Sequence, residues 1–267
     1  MVSWLGAAFH GLETALMRLT KGGDGGLAFV STGVRQLDTN MHGGYLGGSV
    51  IEIFGDAAVG KSTLAYSALR GALAQGHHGV LVDADGCFDE RTANQTALND
   101  DRLVVVAPRV AEEAFEISHR LMKTKAVRVL VVDSLAALVP RGEMERQLDG
   151  AERGLQLDFF DKEVRSLSKT AVEFGTVVIL VNQTRTVISK LGTMVRCSLG
   201  ESLMKKYAAT RIEVCRGFST PENGDFRLEM KVLQHVKPCG SQEQTAFFVR
   251  PRTESTIQDA AIQFLIN

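Results

Sequence analysis

Two stretches of this sequence carry side chains of the type and spacing that phosphate chemistry needs. Gly55-Asp56-Ala57-Ala58-Val59-Gly60-Lys61-Ser62, continued by Thr63, is a glycine, four free positions, then Gly-Lys and a hydroxyl residue. The glycines let the backbone curl so that successive N–H groups converge on phosphate oxygens. Lys61 can neutralise the β- and γ-phosphates, and the Ser62 hydroxyl can ligate Mg²⁺. A lysine and a hydroxyl following two glycines have little structural reason to coincide, so the segment implies ATP and Mg²⁺ as ligands. The second stretch, Leu130-Val131-Val132-Asp133-Ser134, ends an apolar run in a carboxylate. At the C-terminal edge of a parallel strand, Asp133 would lie beside the phosphate loop and hold Mg²⁺ through water.

Hydrolysis also requires a carboxylate that orients the attacking water. Asp83, Asp85 and Asp89 follow another apolar run. Pattern alone does not choose among them, since each fits equally an exposed loop acid or a helix cap.

These groups must be positioned by a framework, and the sequence supplies one. Short β-branched runs at 49–54, 79–82, 103–106, 127–132 and 176–181 suit central strands buried on both faces. Helical segments at 61–75, 111–123 and 155–174 separate them. In the last, Leu157, Phe160, Val164, Leu167, Ala171 and Phe174 form one apolar stripe. Runs at 210–215, 226–234 and 245–249 read as later strands. Alternating strands and helices predict an α/β fold with a mainly parallel sheet flanked by helices. Ahead of this core (27–267), residues 1–26 predict a short amphipathic helix at 3–20, with Leu5, Phe9, Leu12, Leu16 and Leu19 on one face, and a glycine-rich tether at 22–26. That helix would pack on its own domain or dock on a neighbouring subunit.

Bulk charge decides little: 30 Lys plus Arg against 31 Asp plus Glu gives no field that draws in nucleic acid or membrane, so polyanion binding requires a local patch. The four cysteines, Cys87, Cys197, Cys215 and Cys239, form no CxxC pair, as expected of reduced thiols in the cytoplasm. The histidines show no metal-ligand spacing. No apolar run approaches the ~20 residues that span a bilayer, and the N-terminus lacks the pattern of a secretory signal. A soluble cytoplasmic protein is expected.

Five motifs follow one another along the chain: Ser31-Thr32-Gly33 with Leu37-Asp38; Ile51-Glu52-Ile53-Phe54 leading into the phosphate loop and Thr63-Leu64; Val82-Asp83-Ala84-Asp85; Leu130 to Leu138; and Val181-Asn182-Gln183-Thr184-Arg185. Taken in order, they resemble those of the RecA recombinases. The resemblance covers roughly residues 1–250. It implies a RecA-type phosphate-loop core and a DNA-dependent ATPase that binds single-stranded DNA, assembles into helical filaments and pairs homologous duplex DNA in recombination and repair. Lys61, Asp85 and Gln183 would form the catalytic set, with Asp85 where bacterial members carry Glu and Gln183 sensing the γ-phosphate. Two DNA loops would fall at about 140–154 and 184–200. Arg153, Arg165, Arg185, Ile188, Lys190, Arg196 and Lys205 would meet DNA, Ile188 as the aliphatic wedge between stretched bases.

Several positions depart from the family pattern. Thr92 stands where an adenine-stacking aromatic is expected, Asp158 in place of an arginine, and Lys206 in place of an interface phenylalanine. Lys231 and Lys237 are loose matches to the pair that completes a neighbour's ATP site, and no match to the bacterial C-terminal domain follows the core. These departures motivate a second expectation, a RecA-like paralogue that binds ATP with weak hydrolysis and assists another recombinase.

Overall fold

The computed structural model describes residues 29–146, 154–188, 193–216, 226–235 and 245–250. The expected N-terminal helix and tether, Arg153, Lys190, Lys237 and the Ile188 side chain lie outside the described residues.

A 9-stranded sheet forms the core. Its strands are β3 (Val50–Gly55), β4 (His78–Asp83), β5 (Leu103–Val106), β6 (Val127–Asp133), β7 (Val177–Ile188), β8 (Met194–Ser198), β9 (Thr210–Arg216), β10 (Phe226–Gln234) and β11 (Thr245–Arg250). Their order is β11-β10-β9-β3-β7-β6-β4-β5, with β8 paired to β7 alone. The pairs β9-β3, β3-β7, β7-β6, β6-β4 and β4-β5 are parallel, while β11, β10 and β8 are added antiparallel. A small ribbon of β1 (Phe29–Val30) and β2 (Tyr45–Leu46) precedes the sheet. The expected mainly parallel α/β core is present.

Helices cover both faces, and the period-2 alternation of strand side chains sorts the core into two layers. Ile51, Ile53, Leu81, Val129, Val131, Ile179 and Val181 pack towards helix α2 (Lys61–Ala74), with Leu64, Ala68, Leu69 and Ala72. Val80, Val82, Leu130, Val132, Val178 and Leu180 pack on the other face, against α4 (Ala111–Lys123) and α6 (Gly154–Phe174). Each fully buried aliphatic or aromatic side chain contributes about 1.5–3 kcal/mol of burial free energy.

The register explains two corrections. Residues 103–106 form an edge strand rather than a central one, paired with β4 on one side alone, and Val105 is exposed there. In α6, Phe160, Val164, Leu167 and Ala171 are buried, but Leu157 is exposed in the first turn of the helix, ahead of the first buried position of the stripe. Four short helices were not expected from periodicity: α1 (Arg35–Asn40), α3 (Glu90–Thr96), α5 (Arg141–Arg146) and α7 (Glu201–Tyr207). Helices of about two turns hold too few apolar positions to show a period.

The Ser31-Thr32-Gly33…Asp38 motif is structural. The Asp38 carboxylate accepts from Ser31 Oγ (2.5 Å), the Thr32 amide (2.7 Å) and Thr32 Oγ1 (2.7 Å). Ser67 Oγ, on α2, donates to the Thr32 carbonyl at 2.5 Å. Gly33 (φ +80) lets the turn approach so closely that a Cβ there would come within 2.7 Å of Ser67. The motif therefore clamps the helix that carries Lys61 and Ser62.

Candidate nucleotide site and adjoining hairpin

Strand register brings the candidate residues to one edge of the sheet. Gly55, at the end of β3, pairs with Gln183 on β7 and with Val214 on β9. Asp83, ending β4, pairs with Asp133, ending β6. The loop after β3 opens at this carboxyl edge, where parallel α/β sheets take ligands.

The local backbone fits a phosphate group. A Cβ at Gly55 would lie 2.1 Å from the Val214 carbonyl oxygen, so only glycine permits β3 to run this close to β9. Ala58 (φ 57) and Gly60 (φ 93) take left-handed backbone, the conformation that turns consecutive N–H groups inward as an anion-binding nest. Helix α2 begins at Lys61 with Gly60 as its N-cap and no side-chain cap, so its first N–H groups face the loop. Lys61 is buried, and its Nζ donates to the Asp56 carbonyl. Burial lowers the Lys61 pKa, against the opposing pull of Asp133, Asp56 and Asp85. A desolvated cation surrounded by carboxylates and a glycine-built nest suits a polyphosphate.

Asp133 is also buried. Its carboxyl is held above the usual carboxylate range by that burial, opposed by hydroxyl hydrogen bonds from Ser62 and Tyr66 and reinforced by the nearby Asp85 and Asp83 charges. Ser62 and Asp133 thus adjoin one another and offer two hard oxygens to Mg²⁺. Among the described residues, no group of three or more His, Cys, Asp or Glu could hold a metal by itself. The remaining ligands would be phosphate oxygens and water. Tyr66 was not singled out from sequence. Its spacing of four from Ser62 on α2 puts both hydroxyls on one helix face, and that was the available signal.

The three acids at and beyond the end of β4 separate cleanly. Asp83 accepts from the Cys87 and Phe88 amides at 3.1 and 2.9 Å and so ties down its own loop. Asp89 caps α3, accepting from the Thr92 amide at 2.7 Å. Asp85 is exposed at the site edge, where Ser134 Oγ donates to it at 3.3 Å. It is the acid not consumed by a backbone cap among the three. Thr92 lies in α3, its hydroxyl 3.4 Å from the Cys87 carbonyl.

Gln183 is half-buried beside Gly55, and its backbone N–H donates to Asn182 Oδ1 at 2.9 Å. The segment beyond it is a hairpin rather than an open loop. β7 continues to Ile188 and pairs with β8, Thr184 opposite Ser198 and Thr186 opposite Arg196. Alternation across this ribbon puts Thr184, Thr186 and Arg196 on one face and Arg185 on the other. The basic residues expected to act together at 184–200 are therefore split between two faces. Thr184 Oγ1 and the Arg196 guanidinium both donate to the Asp56 carboxylate.

The other expected DNA-facing residues are more dispersed. Lys205 pairs with Glu201 at 2.9 Å on α7, and Lys206 reaches Asp161 of α6 at 3.7 Å, with Arg165 nearby. Lys231 lies 3.9 Å from Glu229. Within the expected first loop, residues 141–146 form α5, whose Arg141 amide donates to Glu112 at 2.9 Å. Among the described residues, no helix is long and apolar enough to cross a membrane.

Comparison with known proteins agrees with this architecture. The RecA N-terminal domain family matches residues 9–240. Protein RecA of Lactobacillus acidophilus is 32% identical over 225 residues, covering 83% of this chain and 62% of that protein. Protein RecA of Listeria welshimeri and of Listeria ivanovii are each 32% identical over 224 residues, covering 84% of this chain and 64% of theirs. The chain thus spans less than two thirds of the length of these relatives. A crystal structure of the RadB recombinase superposes with a TM-score of 0.62 at 22% identity, covering 83% of this chain and 96% of that one, a likeness of fold.

Proposed function

Because this chain belongs to the RecA family, we propose that it is an ATP-dependent, single-stranded-DNA-binding recombinase that assembles into filaments for homologous pairing. The observation that carries this reading is the pairing of Gly55 with Gln183, which sets the phosphate loop directly beside the strand that runs on into the basic hairpin. A single strand pair thus links the two segments.

In this reading, ATP with Mg²⁺ supplies polyphosphate charge that Lys61, the loop amides from Asp56 to Ser62, and Thr63 neutralise, while Ser62 and Asp133 hold the metal. Asp85 orients water and Gln183 reports the γ-phosphate. Arg185 and Arg196 of the hairpin, Ile188 at the end of β7, and Arg153, Arg165, Lys190 and Lys205 meet the DNA. Filament contacts and homologous duplex are the further partners. The test is ATP turnover with and without single-stranded DNA, beside Lys61→Ala as the control. Absence of stimulation by DNA rejects the recombinase reading, and ordered nucleoprotein filaments in electron micrographs support it.

A second reading has its own observation. Asp85 is one methylene shorter than the glutamate of bacterial members, and water placement is sensitive to shifts of about an ångström. A chain that binds ATP, turns it over weakly and assists another recombinase fits that substitution. Strand exchange by this protein alone decides between the two.

A further inference from the structure

We propose that Asp56 latches the phosphate loop to the β7–β8 hairpin, and that nucleic acid competes with this carboxylate for Arg196, releasing the loop. The inference rests on the reading of the hairpin as a DNA surface.

The same residue restrains two cations. Its carbonyl accepts from Lys61 Nζ, and its carboxylate accepts from Arg196 and from Thr184. Thr184 follows Gln183 directly, and its position on the ribbon puts its hydroxyl on the face that carries Arg196. Hydrogen bonds from Thr184 and then Arg196 hold the Asp56 carboxyl below its ordinary range. The Asp56 and Arg196 side chains are 56% and 58% exposed, so an incoming phosphate can reach the pair.

A guanidinium engaged with a carboxylate is neutralised as a phosphate ligand. An exposed pair of this kind changes an equilibrium constant by about two- to fivefold, which a polyanion making several contacts overcomes. Once Arg196 turns to DNA, the Asp56 segment loses one of its two outer tethers and keeps the weaker, uncharged Thr184 contact. Its carbonyl can then surrender Lys61 to the nucleotide. Linkage makes the effect reciprocal: DNA raises nucleotide affinity by the factor that nucleotide raises DNA affinity. Asp56 acts here as a positioning residue.

The experiment is fluorescence anisotropy of a labelled oligothymidylate, without nucleotide and at fixed salt. It compares the full chain with Asp56→Asn, Arg196→Ala and the double variant. Asp56→Asn is expected to tighten DNA binding about two- to fivefold, and the gain is expected to vanish in the Arg196→Ala background. Equal tightening in both backgrounds is bulk charge and overturns the latch. So does wild-type DNA binding that Asp56→Asn leaves unchanged. Absence of DNA binding by the wild type overturns the DNA reading of the hairpin and the latch with it. A fluorescent ATP analogue adds a second readout: DNA should tighten its binding to the wild type, and Asp56→Asn should shrink that dependence.

Discussion

Arg211 on β9 donates from Nε to the Glu52 carboxylate on β3 at 2.6 Å, with both side chains almost fully buried. Asn182 Nδ2 donates to the other Glu52 oxygen at 2.9 Å and to the Leu199 carbonyl at 2.8 Å. Arg211 also approaches Ser198 Oγ at 3.4 Å and the Phe54 ring at 5.0 Å. One ion pair therefore ties the phosphate-loop strand, the Gln183 strand and the base of the hairpin into a single unit. Removing one partner strands the other charge in a dry interior.

Arg211→Met is accordingly expected to destabilise the protein by about 3–5 kcal/mol, with Glu52→Leu/Arg211→Met much closer to wild type. Urea unfolding of the two variants checks this. A single variant as stable as the double would reject the account.

Lys61→Ala should weaken ATP binding about 10- to 100-fold, the loss of charge-assisted hydrogen bonds worth about 1.5–3 kcal/mol. Its folded-state partner is one loop carbonyl, so melting temperature should move far less than affinity. Titration with a fluorescent ATP analogue, run beside a thermal melt, separates the two effects.

Asp85→Glu should raise ATP turnover about tenfold or more if water placement limits the rate, and Asp85→Asn should lower it. The Ser134 contact that holds Asp85 is long, at 3.3 Å, which leaves the acid free to take up another position. Single-turnover hydrolysis distinguishes this from product release. Equal rates for Asp, Glu and Asn would remove Asp85 from the catalytic set.

The raised Asp133 carboxyl gives a prediction about pH. Its folded pKa lies above its unfolded value of about 3.9, so the folded protein binds that proton more tightly. The stability this contributes is full below the unfolded pKa and is lost as pH rises through the folded one. Asp133→Asn keeps the group neutral and should stabilise the nucleotide-free protein at pH 7. The same change should cost about tenfold or more in Mg²⁺-dependent nucleotide affinity. In the wild type, that affinity should begin to fall on acidification at a higher pH than an ordinary carboxylate would dictate. Melts and Mg²⁺ titrations across pH test both signs.

Much of the candidate nucleotide site was legible in the sequence because its motifs are local. Gly55 to Ser62 is contiguous, and the helix after it places Lys61 and Ser62 without help from the rest of the chain. Asp133 could be read because a buried parallel strand is a plain apolar run with a polar stop. Residue pattern alone could not choose among Asp83, Asp85 and Asp89, and only the resemblance singled out Asp85, because the three differ in which backbone amides each captures. The hairpin after Gln183 was also missed as a ribbon. Its strands hold polar and basic residues on both faces, so apolar alternation does not mark them.

The sequence by itself determined the glycine-bounded loop after β3, the carboxylate that ends β6 and the alternation of strands and helices, since backbone sterics and hydrophobic periodicity act over a few residues. Only the tertiary structure decided the pairings across long stretches of chain: Glu52 with Arg211, Ser62 and Tyr66 with Asp133, and Asp56 with Thr184 and Arg196. These depend on strand order and register, which are set by closing the sheet around both hydrophobic layers at once, and no local pattern encodes that choice.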